Sequence, residues 1–236
     1  MPAPTVAKRA ARALRQHQTA IRYQRSQARR VGLSPRLAHM SKYQADLVAG
    51  SLMLPESRRV AALLLRKPTD AEWAHAVKVE NILQKAAPST AVRQARLIRF
   101  RLDPMGPAAW ALVNAGDQEM ASQTLFVAAM LHSQLLLDFV RSVVVGHHRR
   151  LETHLHPREW DGFLADCAAR DTDVAMWTAV TRAKLLQVLI RILAEAKYIE
   201  STRSLRLRSP HVHPQVRRLL QDLGHHDLIA TLELQA

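Results

Sequence analysis

The chain has 236 residues, 48% of them hydrophobic, enough for one or two domains with packed cores. A formal net charge of +14 and a sequence pI near 11.1 favour polyanionic partners, whether DNA, RNA or an anionic membrane face. The single cysteine, Cys167, excludes an intrachain disulfide and a cysteine-based zinc site, and it fits a reducing compartment such as the cytoplasm.

The charge is concentrated at the start. Residues 1–39 hold Lys8, Arg9, Arg12, Arg15, Arg22, Arg25, Arg29, Arg30 and Arg36 with no Asp or Glu, so nine of the fourteen net charges sit there and the rest of the chain carries +5. Residues 1–40 read as a basic, flexible arm that orders on phosphate backbones. It contains no apolar h-region, so a secretory signal is not expected there. The same pattern also suits an upstream start before a natural beginning at Met40.

Dense apolar patterning begins at Tyr43. Pro55 opens a helix with Glu56 near its positive end, and Pro68 stops it. Thr69 and Glu72 stand in capping-box spacing before a helix through Trp73, Val77, Ile82 and Leu83. After the break at 86–88, Ser89 is expected to cap a helix from Thr90 to Leu102. The pair suggests a helix-turn-helix-like unit over 41–104. Residues 105–156 read as a helical middle: 110–115, 118–131 and 135–151. The uncharged run 120–137 holds Ser122, Gln123, Thr124, His132, Ser133 and Gln134, too many polar groups for a lipid span. A buried helix or helix pair is the better reading, and no membrane partner is expected.

Residues 157–236 change character. A helix over 157–170, a short helix over 171–176 and a long helix from Thr178 or Thr181 to Ala196 come first. Then 204–209 alternates polar and apolar, with 211–214 as its expected returning strand. That order is the order of a winged helix-turn-helix with a small β-hairpin. Pro214 opens a last helix ended by Gly224. Leu228–Leu234 is compatible with helix or strand. The fold class expected is therefore mainly α, a multi-helix bundle with the two units at its ends.

Two basic constellations stand out. On the long helix, Lys184, Gln187 and Arg191, followed by Glu195, share one face, and Arg182 sits near the helix start. In the expected hairpin Arg206 and Arg208 point to one side, with Arg203 in the turn. On the earlier helix, Arg93 and Arg96 face away from the stripe Ala91, Ala95, Ile98 and Leu102. Arg99 flanks them and Arg101 lies off to the other side. Ser89 or Thr90 and the free N–H groups of the helix start suit a phosphate. A packed bundle with solvated charged seams is the alternative for both.

No phosphate loop, nucleophile elbow, H-E-x-x-H motif or nuclease carboxylate cluster is present, so a non-enzymatic protein without cofactor or small-molecule substrate is expected. The histidine pairs lack the helical metal spacing, and they read as added positive surface rather than metal ligands.

Two stretches resemble a known family. Tyr43-Gln-Ala-Asp-Leu-Val-Ala-Gly-Ser-Leu-Met-Leu-Pro-Glu-Ser-Arg-Arg-Val-Ala is similar to the N-terminal signature of the BrxA family of BREX phage-defence systems. So are Ala168-Ala-Arg-Asp, Trp177, Thr181-Arg-Ala-Lys-Leu and Ala194-Glu-Ala-Lys-Tyr-Ile-Glu-Ser-Thr-Arg-Ser-Leu in the C-terminal stretch, and the match covers residues 40–220. The resemblance implies a bacterial, cytoplasmic, helix-rich double-stranded DNA binder. It would work beside other BREX proteins in a system that separates self from phage DNA by methylation, without being the methyltransferase itself. Arg93, Arg96, Arg182, Lys184, Arg203 and Arg206 lie within the matched span. Two other readings stay open: a protein-interaction scaffold of the same complex, and an RNA-binding helical bundle, against which the 5% aromatic content argues.

Overall fold

The structure is a computed structural model in which residues 41–234 are described. The basic arm lies outside the described residues. After a short 3-10 turn, Asp46–Ala49, helix α1 runs Leu54–Leu65, with Pro55 in its first turn. Helix α2 spans Asp70–Lys78 behind the capping box, in which the Thr69 hydroxyl accepts from Glu72 N–H and the Glu72 carboxylate accepts from Thr69 N–H.

Helix α2 stops at Lys78 rather than reaching Leu83. Asn81 and Gln84 take left-handed backbone conformations, and the Asn81 amide bonds the backbone of Lys85 in both directions. Residues 79–87 are therefore an irregular connection, longer than a tight turn, with Leu83 still tucked into the core. Helix α3 spans Pro88–Leu102. Ser89 is not its cap. Proline takes the first helical position, where a missing N–H costs nothing, so Ala87 becomes the flanking residue and no side chain caps it.

Helices α4, Gly106–Ala115, α5, Gln118–His132, and α6, Gln134–Arg149, follow. Met120 to Met130 of α5 are all buried, so its apolar character serves the core. Between α5 and α6 the chain bends by 107° at Ser133, which is extended, and Ser133 Oγ donates to Asp46 Oδ1 at 2.7 Å. Among the described residues no single helix is long and apolar enough to cross a membrane, although this bent pair meets that test by length and composition. Helix α6 carries a π-turn at Val140–Val144.

Helix α7 spans Pro157–Arg170, α8 Thr172–Ala175 and α9 Ala179–Glu195, the last capped by the Thr178 hydroxyl. Lys197 in the left-handed region ends α9, with Tyr198 N–H returning to Leu193 C=O. Helices α10, Pro214–Leu223, closed by Gly224 at φ 78°, and α11, His226–Leu232, complete the chain. The undecided last segment is thus helical. One core runs from Tyr43 to Leu234, and Cys167 is buried in it.

The expected β-hairpin does not form among the described residues. Residues 211–213 are irregular. The segment at 205–207 instead lies between two other stretches, bridging Arg206 to His154 and Leu207 to Ile199. Leu155 N–H donates to Leu205 C=O, Leu207 N–H to Thr153 C=O, and Glu200 N–H to Arg206 C=O. The alternation still holds, with Leu205 and Leu207 packed on the core and Arg206 and Arg208 exposed. The partners differ because the α6–α7 loop and the end of α9 already present backbone groups there.

Candidate nucleic-acid interface

The loop after the 3-10 turn is fixed from two sides. From α3, Arg101 is only 3% exposed, and its guanidinium donates to Ser51 C=O at 2.6 Å and Gly50 C=O at 3.0 Å. From α9, Glu195 accepts from Ser51 Oγ at 2.8 Å and from Leu52 N–H at 2.7 Å. The loop therefore bridges α3 and α9.

Between these elements lies a surface cavity of about 190 Å³, lined by Val48 to Ser51, Arg93, Lys184, Gln187 and Arg191. The free faces of both basic constellations thus share one cleft. Lys184 Nζ donates to Gln187 Oε1 at 3.0 Å. Among the described residues no carboxylate pairs with Arg93, Lys184 or Arg191, and all three are exposed. Three unneutralised cations around one hollow focus positive potential on it.

The remaining expected residues divide. Arg96 is exposed and stacks on Phe100, 5.3 Å from its ring centroid. Ser89 and Thr90 sit in the first turn of α3, where Thr90 N–H already binds Ala87 C=O. Arg203 and Arg206 are exposed around the bridged segment. Arg99 is tied to Asp103 at 3.3 Å and stacks over Trp73 at 4.6 Å. Arg182 donates to the carbonyls of Trp177 and Ala175, closing the α8–α9 junction. Arg208 pairs with Glu200 at 2.8 Å. These last three hold structure, each with its guanidinium already engaged.

One cluster has no counterpart in the sequence patterning. His147, expected as surface charge, is 2% exposed. Its Nδ1 is 2.8 Å from Val143 C=O and 3.2 Å from Arg150 Nη2, and its Nε2 meets Glu159 Oε1 at 2.6 Å and Glu152 Oε2 at 2.7 Å. The residues come from the end of α6, the following loop and the start of α7, so no short spacing announces them.

The two stretches that carry the family resemblance meet in space. Asp171 Oδ2 accepts from Tyr43 N–H at 3.0 Å and Ser41 Oγ at 2.8 Å, and Glu195 binds Ser51 and Leu52. The backbone bond from Tyr43 holds the Asp171 carboxyl below the usual range. Fold and cleft together define a small helical protein with a cationic groove.

The BrxA family model matches residues 41–224, which spans the cleft and its supports. The chain is 39% identical over 193 residues to BREX protein BrxA of Paramagnetospirillum magneticum (strain ATCC 700264 / AMB-1), covering 82% of this chain and 97% of that protein. It is 37% identical over 188 residues to BREX protein BrxA of Escherichia coli O9:H4 (strain HS), covering 80% and 88%. A crystal structure of an uncharacterized protein from Magnetospirillum magneticum is similar with a TM-score of 0.76 and 38% identity, over 82% of this chain and 99% of that one. The chain belongs to the BrxA family.

Proposed function

We propose that this chain acts in a BREX phage-defence system as a non-enzymatic binder of double-stranded DNA, in the cytoplasm and beside other BREX proteins. The observation that carries the reading is the cleft in which Arg93, Lys184, Gln187 and Arg191 converge without a paired carboxylate. In this reading α2–α3 and α7–α9 are the two helix-turn-helix-like units, and Arg203 and Arg206 extend the contact along the backbone. Phosphates supply most of the affinity, and Gln187 is the exposed amide in the cleft suited to a base edge. The basic arm adds sequence-independent attraction.

Binding to a fluorescent non-specific duplex across a salt series tests this, with the full chain and a version starting at Met40. Neutralising about five phosphates gives a log–log salt slope near −4 to −5. The triple charge reversal R93E/K184E/R191E should flatten that slope in both forms. An unchanged slope would move the binding to the arm and the ribbon. Competition by RNA of equal length separates the RNA reading.

A scaffold reading has its own support. Met176 and Val180 at the α8–α9 junction are 82% and 80% exposed, an apolar pair suited to a protein partner. Loss of DNA binding on removal of residues 1–39 would favour it.

A further inference from the structure

We propose that His147, Glu152 and Glu159 form a binding site for a divalent transition-metal ion of the zinc class. The argument starts with the imidazole. Nδ1 lies 2.8 Å from Val143 C=O, which can only accept, and 3.2 Å from Arg150 Nη2, which can only donate; assigning the hydrogen bond to the shorter contact puts the proton on Nδ1 and leaves Nε2 as the ring's ligand atom. A backbone carbonyl orienting the far nitrogen is the arrangement that metal-bound histidines use.

The carboxylates are likewise held at their outer oxygens. Glu159 Oε2 accepts from His156 N–H at 2.9 Å, and Glu152 Oε1 accepts from Arg150 Nε at 2.6 Å. Each therefore presents its other oxygen to Nε2, and the three ligand atoms lie within 4.8 Å of one another. Two carboxylate oxygens facing one buried ring nitrogen favour a positive charge between them, a proton or a metal ion. A proton on Nε2 would be shared between acceptors at 2.6 and 2.7 Å in a three-centre bond. A metal ion binds all three at once.

The donor set of one imidazole and two carboxylates is borderline to hard, and it fits Zn²⁺ or Mn²⁺ rather than a soft ion. Three ligands leave a position for water. At metal–ligand distances of about 2.0–2.2 Å, tetrahedral ligand atoms stand about 3.3 Å apart, so the two glutamates swing outward on loading. The ion would staple the end of α6 to the start of α7 across the loop that bridges Arg206, which gives it a structural role.

The test uses untagged full-length protein stripped with chelator and titrated with Zn²⁺ and with Co²⁺. One Zn²⁺ per chain is expected by calorimetry, with a rise in melting temperature, and Co²⁺ should show visible absorption of a site with one nitrogen and two or more oxygens. E152Q, at a side chain 40% exposed, and E159Q should each weaken Zn²⁺ binding by about 100-fold while the circular dichroism spectrum stays helical. Equal Zn²⁺ binding by wild type and both variants would overturn the proposal by placing the metal on other histidines. Absence of stoichiometric binding at micromolar Zn²⁺ would overturn it in favour of a shared proton.

Discussion

Glu195 at the end of α9 holds Ser51 in the cleft loop: its Oε1 accepts the Ser51 hydroxyl at 2.8 Å while its Oε2 takes the next residue's N–H at 2.7 Å. The carboxylate thus joins the face that carries Lys184, Gln187 and Arg191 to the loop that floors the same cavity. E195A leaves the Ser51 hydroxyl and the Leu52 N–H without their acceptor at a largely buried position. The expected cost is about 1–3 kcal/mol in urea denaturation. DNA affinity should fall as well, because the loop is no longer fixed against α9. E195Q, which keeps an acceptor oxygen, should recover part of both.

Arg93 and Arg101 sit on one helix and are expected to fail in opposite ways. Arg101 is buried, and burial lowers its pKa while the charges of Asp46 and Glu195 raise it. Its partners are backbone carbonyls, so R101M strands one buried and one part-buried acceptor and should cost about 2–4 kcal/mol. Arg93 is exposed at the cleft, and R93M should stay within about 0.5 kcal/mol of wild type. The salt series should then show R93M with a slope less negative by about 0.9. R101M, measured where it remains folded, should keep the wild-type slope.

Much of this was legible in the chain, and the exceptions share a cause. Local rules found the Thr69–Glu72 box, the Pro214 start and the Gly224 stop, because each depends on neighbours in sequence. They also found the faces of Arg93 and of Lys184, Gln187 and Arg191. That the two faces share a cavity depends on how α3 and α9 pack around residues 48–51, which no spacing encodes. The loss of Arg99 to Asp103 stood in plain i, i+4 spacing and could have been read. The Arg182 caps, the bridges of 205–207 and the His147 cluster needed the tertiary structure.

Asp171 links the first described residues to α8. It takes Tyr43 N–H and the Ser41 hydroxyl on one oxygen and Asp173 N–H on the other. Its pKa is lowered, chiefly by the Tyr43 backbone bond, so its contribution is present above the unfolded value near 4 and is lost as pH falls through the folded one. D171N should lower the urea midpoint at pH 7. The gap to wild type should narrow as the pH is taken below about 4, and a gap independent of pH would contradict this account.

Asp46 and His132 oppose each other in acid. Burial raises Asp46 to about 6, against the Ser133 hydrogen bond and the charge of Arg101. Burial, with Arg101, lowers His132 to about 4. For Asp46 the folded state binds more protons than the unfolded state between pH 4 and 6, so its contribution to stability falls as pH rises through that window. For His132 the unfolded state binds more protons between pH 4 and 6.5, so its contribution rises over nearly the same window. The two slopes largely cancel in the wild type. D46N imitates the protonated aspartate at every pH and removes one of them. Relative to wild type it should gain stability as pH goes from 4 to 6, by about 2–3 kcal/mol in all. Urea midpoints at pH 4, 5, 6 and 7 read the difference, which should level off above pH 6, once the wild-type carboxyl is ionised in both states.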